Sequence, residues 1–119
     1  MPKFGKTSRI SSAEDFLNVK KRGKSVRSGK LIAAATSGAR RRLGIIVTRR
    51  VGNAVERNRL KRVIRDFFRK NRDLFPKGDC VIIPTTGAKD VTNDALRASL
   101  SRALDLLADK LKPVIREAR

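Results

Sequence analysis

Lysine and arginine outnumber aspartate and glutamate by 30 to 11 in this chain of 119 residues, a formal charge of +19. So large an excess repels itself and opposes compaction unless a polyanion screens it, and nucleic acid is the usual screen. A core is available all the same, since 39% of the residues are apolar. They recur along the chain instead of gathering in one half, which separates it from a disordered basic tail. One folded domain over residues 1–119 is predicted, with 1–10 and 114–119 as mobile basic ends. No stretch approaches the length of a bilayer-spanning helix, and no apolar signal-peptide core follows the charged N-terminus. A cytoplasmic protein with no membrane contact is expected.

The missing residue types narrow the chemistry further. Histidine, tyrosine and tryptophan are absent, which removes imidazole general bases, Ser-His-Asp triads and histidine metal sites. The carboxylates, from Glu14-Asp15 through Glu56, Asp66, Asp73, Asp79, Asp90 and Asp94 to Asp105 and Asp109, form no close group in sequence that suggests a two-metal nuclease. Neither a catalytic residue nor a metal ligand is expected, and no cofactor bound tightly by the protein. Cys80 stands alone within an apolar run and reads as a buried, inert thiol.

Helix signals come at three places. A first helix is predicted from Ala13 to Arg22, with Ser12 as N-cap, Asp15 three residues on and Gly23 as the stop. A second begins at Ala54, because Asn53 and Glu56 have capping-box spacing. A third follows Thr92, with Val91 and Leu96 spaced as a hydrophobic staple and Pro113 ending it. Its stripe of Leu96, Leu100, Ala103, Leu104, Leu107 and Leu111 is core spacing. Strands are predicted at Lys30–Thr36, Leu43–Thr48 and Cys80–Ile83, and a short one at Ser25–Ser28. The basic link Gly38–Arg42 suggests that the first two of these pair as an antiparallel hairpin.

The second helix carries the functional signal. Steps of about 100° per residue gather Leu60, Val63, Ile64, Phe67 and Phe68 into one apolar sector. Arg57, Asn58, Lys61 and Arg65 flank that sector, while Arg59, Arg62 and Arg69 are assigned to the opposite face. A solvated helix face ordinarily mixes signs through Glu–Lys pairs. Here only Asp66 interrupts the basic surface, and nucleic-acid contact is the reading preferred over plain solvation.

The stretch Gly52–Arg65, GNAVERNRLKRVIR, resembles the arginine-asparagine-arginine signature of bacterial ribonuclease P proteins. Leu43-Gly44 and Val47-Thr48-Arg49-Arg50 before it resemble the family's strand and basic pair, and the likeness extends from Glu14-Asp15-Phe16 to Leu104. It implies an α/β fold of the α+β sandwich kind: a mainly antiparallel four-stranded sheet, three helices and a left-handed β-α-β crossover through the signature helix. That hand runs against the general preference.

The resemblance also implies the RNA-binding subunit of an enzyme that removes the 5′ leader from precursor tRNA by endonucleolytic cleavage. The partners would be a catalytic RNA, which does the chemistry with Mg²⁺, and the single-stranded leader, with no obligate protein partner. Phe16, Ile32, Arg57, Asn58, Lys61 and Arg65 match leader-cleft positions. Arg49, Arg50, Asn53, Arg59, Arg62 and Arg69 fall where the catalytic RNA would dock. Phe16 reads as a stacking surface, with core packing as the alternative. Lys20 stands where many relatives have a second aromatic, and Thr85-Thr86 where they are often basic, which shifts the expected grip from stacking toward phosphate attraction. The alternative, a ribosomal or general RNA-packaging protein, shares the composition but not the signature.

Overall fold

A computed structural model describes residues 9–10 and 13–111. The first helix, α1, runs Ala13–Arg22 as expected, and its end is marked by the Gly23 amide donating to the Val19 carbonyl. The expected cap Ser12 lies outside the described residues, as do residues 1–8, Pro113 and the C-terminal end. Strands β1 (Lys24–Ser28), β2 (Leu31–Ala35), β3 (Arg41–Ile45) and β4 (Gly78–Pro84) form one sheet in the order β1-β2-β4-β3. Helix α2 (Ala54–Lys70) connects β3 to β4, and α3 (Asn93–Lys110) closes the described fold. The result is the α+β class expected, with two antiparallel pairings and one parallel pairing.

The hairpin expected between Lys30–Thr36 and Leu43–Thr48 does not form. β2 pairs with β1 on one side and β4 on the other, and β3 pairs with β4 in parallel. The reason lies in burial. Cys80, Val81 and Ile82 are all sequestered, and a continuous apolar run covered on both faces belongs in the middle of a sheet. The link from β2 to β3 therefore steps over β4, about 10 Å at the usual strand spacing, within reach of five residues. The real hairpin is β1–β2, whose loop begins at Gly29 with φ 57°. β3 also starts two residues earlier than expected, at Arg41.

Alternation along the strands divides the core in two. Val26, Leu31, Ala33, Ala35, Leu43, Cys80 and Ile82 face α2 and α3, meeting Leu60, Ile64, Phe68, Leu96, Leu100 and Leu104. Ala34 and Val81 face α1 and pack with Val19 and Ile10. Residues 9 and 10, at the end of the expected mobile arm, are held against the sheet. Arg9 forms a parallel bridge to Leu43, the Ile10 amide donates to the Leu43 carbonyl at 3.0 Å, and Ile10 is buried. Burial pushes the Cys80 thiol up to about 12, which removes it as a nucleophile at neutral pH.

Candidate nucleic-acid interface

The start of α2 is fixed by its own sequence. The Asn53 side chain accepts from the Glu56 amide and the Glu56 carboxylate accepts from the Asn53 amide, each at 2.8 Å, a complete capping box. The buried residues of α2 are the five predicted: Leu60, Val63, Ile64, Phe67 and Phe68. At its far end Phe75 meets Phe68 edge-on, with ring centroids 4.8 Å apart. A helix clamped at both ends and along one side presents its remaining surface in a fixed orientation.

Among the described residues, two recesses border that surface. Asn58, Arg62, Arg65 and Arg69 line one of about 340 Å³. They are spaced i, i+4, i+7 and i+11, which keeps them within about 60° of one another around the helix. Asp66 sits beside this stripe, bonded to Arg69 and to Lys70, and these contacts hold its carboxyl below the usual carboxylate range.

The second recess, of about 130 Å³, is lined by Arg9, Ile10, Phe16, Leu43, Gly44, Ile45, Lys61 and Arg65. Arg65 belongs to both. Phe16 is half-buried, packed against the smaller core and also lining this recess. Core and surface, the two readings of that ring, therefore both describe it.

The residues implied by the resemblance are distributed as follows. Phe16, Lys61 and Arg65 meet in the smaller recess, and Asn58 lies in the larger one with Arg62 and Arg69. Arg57 is turned to the helix entry, where its Nε donates to the Gly52 carbonyl at 3.2 Å. Ile32 is paired with Ile83 in the sheet register and lines neither recess. Arg49 and Arg50 are exposed in the turn that Val51 closes onto Thr48. Asn53 uses its side-chain oxygen for the cap.

Arg59 is separate from this surface. Its guanidinium donates to the Lys89 and Val91 carbonyls, at 3.1 and 3.0 Å, and to the Asn93 side chain. It ties α2 to the entry of α3. Arg9 and Ile10, by contrast, join the smaller recess without having been expected there. An isolated isoleucine in a basic stretch was their one sequence signal.

Comparison with known proteins identifies what this surface belongs to. The family model for ribonuclease P matches residues 4–108. The chain belongs to the ribonuclease P protein family. The ribonuclease P protein component of Macrococcus caseolyticus is 36% identical over 104 residues, covering 85% of this chain and 90% of that one. That of Desulforapulum autotrophicum is 39% identical over 102 residues, covering 83% and 87%. Among solved structures, the ribonuclease P protein of Staphylococcus aureus aligns with a TM-score of 0.78 at 32% identity, over 83% of this chain and 94% of that one. The Thermotoga maritima protein aligns with a TM-score of 0.72 at 35% identity, over 85% and 96%. Membership of the ribonuclease P protein family makes this chain a ribonuclease P subunit with a place in tRNA processing, and rules in favour of the signature over the ribosomal alternative.

Proposed function

We propose that this protein binds the catalytic RNA of ribonuclease P and grips the single-stranded 5′ leader of precursor tRNA, while the RNA and its Mg²⁺ perform the cleavage. The observation that carries the reading is the smaller recess, where one aromatic ring, Phe16, lies among the cations Arg9, Lys61 and Arg65. A ring offers a stacking face to any base, and cations track the phosphates. The stripe Asn58, Arg62, Arg65 and Arg69 would dock on the catalytic RNA, with Arg49 and Arg50 extending the contact. Its run of arginines suits a phosphate backbone.

The chemistry is assigned to the RNA because hydrolysis of a phosphodiester needs water activation and charge stabilisation at two oxygens. Among the described residues no group of three or more carboxylates or thiols stands ready to hold a metal ion. Glu56 and Asp66 are engaged in the helix cap and in ion pairs. The protein's contribution is then positional and electrostatic: it screens repulsion between two polyanions and holds the leader in register. The proposal places the protein where precursor tRNA is made, in the cytoplasm.

The test is cleavage of precursor tRNA by the RNA-free protein, by the RNA alone and by the reassembled complex, across Mg²⁺ concentrations. The expected result is no cleavage by protein alone, partial activity of the RNA at high Mg²⁺, and preference for precursor over mature tRNA only in the complex. Specific cleavage at the mature 5′ end by protein alone, abolished by Glu56→Ala or Asp66→Ala, would overturn the assignment. Co-purification with ribosomal RNA in place of one discrete processing RNA would do the same.

A further inference from the structure

The face of the sheet that carries Phe16 also holds an ion-pair network on which the proposed function does not draw. Arg42 of β3 lies opposite Asp79 of β4 in the sheet register. Its Nε donates to one Asp79 carboxylate oxygen at 2.7 Å and its Nη2 to the other at 2.8 Å. The same Nη2 lies 3.2 Å from the Asp15 carboxylate of α1. The hydrogen bond to Asp79, reinforced by the charges of Asp79 and Asp15, raises the Arg42 pKa against the opposing effect of burial. A fork-shaped guanidinium held in two places by one carboxylate has little freedom left. It meets Asp15 as a fixed post.

Asp15 immediately precedes Phe16, and Gly44 follows Arg42 by two residues on the same face of β3. A Cβ on Gly44 would lie 2.7 Å from Cε1 of the Phe16 ring, so the ring rests directly against the β3 backbone. Helix α1 is thus attached to β3 at two adjacent points, by charge at Asp15–Arg42 and by contact at Phe16–Gly44.

We infer that Arg42 is a positioning residue for the leader site, setting the place of the Phe16 ring in its recess through Asp15, with Asp79 fixing Arg42 and Gly44 providing the room. The inference rests on the leader reading of that recess. A ring contributes to base stacking only at the right height and tilt, and a displacement of about 1 Å in a positioned group is costly. The network would therefore act on leader recognition and leave docking on the catalytic RNA alone.

The test is a double-mutant cycle in the complex reassembled with ribonuclease P RNA, measuring the ratio of affinities for precursor and mature tRNA. Asp15→Asn keeps the shape of the side chain and removes its charge. Glu14→Gln makes the same charge change on the neighbouring residue of the same turn and serves as control. Phe16→Ala should lower the ratio roughly 5- to 150-fold, the value of one stacked base. Asp15→Asn should lower it about fivefold, a modest part of that contact, with mature tRNA bound as before and the Glu14→Gln ratio unchanged. In the Phe16→Ala background, Asp15→Asn should add nothing. An effective Phe16→Ala beside a silent Asp15→Asn, an additive cycle, or equal losses for both substrates overturns the positioning role alone. A silent Phe16→Ala overturns the leader reading, and the role assigned to Arg42 with it.

Discussion

Helices α2 and α3 have nearly the same length, 17 and 18 residues, and bury the same number of apolar side chains in the same core, yet their outer surfaces differ in kind. α2 carries seven basic residues and two acidic ones; α3 carries three of each. On α3 the charges can offset one another locally, as Arg97 does with Asp94 at 2.8 Å. On α2 they accumulate in a stripe beside the recess that holds Phe16. Burial of one face explains both helices as parts of a fold, and explains nothing about the difference. The single sign of α2 costs self-repulsion that a purely structural helix avoids, which is the physical reason to look for a polyanion there and not on α3.

The comparison is broken most forcefully from the α3 side. Leu100→Ala should destabilise the protein by about 2–5 kcal/mol, because the residue is fully buried and its removal leaves a cavity. Thermal or urea unfolding measures the loss, and RNA affinity of the folded fraction should hold. A parallel loss of RNA affinity would mean that α3 contributes to binding.

Two arginines three residues apart on α2 sharpen the contrast within one helix. Arg62→Ala should leave stability within about 0.5 kcal/mol of the parent. It should flatten the dependence of log affinity for the catalytic RNA on log salt by roughly 0.7–0.9. Arg59→Ala should do the reverse, costing about 1 kcal/mol as the carbonyls of Lys89 and Val91 lose their donor, with the salt slope kept. Titrations at several salt concentrations, beside melting curves, separate the two. Identical behaviour would return Arg59 to the docking surface. The smallest effect is expected from Arg97→Ala on α3, where an exposed pair contributes less than about 1 kcal/mol and no phosphate contact is lost; a changed salt slope there would extend the interface to α3.

The different fates of Arg59 and Arg62 also show how far the sequence could be read. Local spacing along α2 located its start, its cap and its buried residues, since those depend on neighbours three and four positions away. Arg59 lies about 100° from Leu60 around the helix and Arg62 about 160° on the same side. Sorting into core, flank and opposite face merged the two. What divides them is the loop before α3, thirty residues downstream, and no local pattern reports it. The strand order was hidden for the same reason. β2 and β3 are separated by a five-residue link, and proximity in sequence argued for pairing, whereas the apolar run at Cys80–Ile82 settled the centre of the sheet from a distance. Arg42 read as one more base in a basic link. Only the register that sets it opposite Asp79, with α1 above, turns it into a fixed post.

The position of β4 between β2 and β3 bears on how the chain is born. A polypeptide leaves the ribosome from its N-terminus, so β1, β2, β3 and α2 all emerge before the strand that joins them. Until Gly78–Pro84 arrives, β2 has a partner on one side only and β3 has only the bridge from Arg9 to Leu43, each presenting open backbone groups. The nascent chain can make the β1–β2 hairpin and helices α1 and α2, but not the four-stranded sheet. Completion falls to the last strand as a single late event, joining segments more than thirty residues apart, and such non-local closure is slow. During that interval the unassembled chain is strongly basic, and mutual repulsion between nascent copies protects the open edges. The charge that suits the finished protein to RNA thus also guards it while it is incomplete.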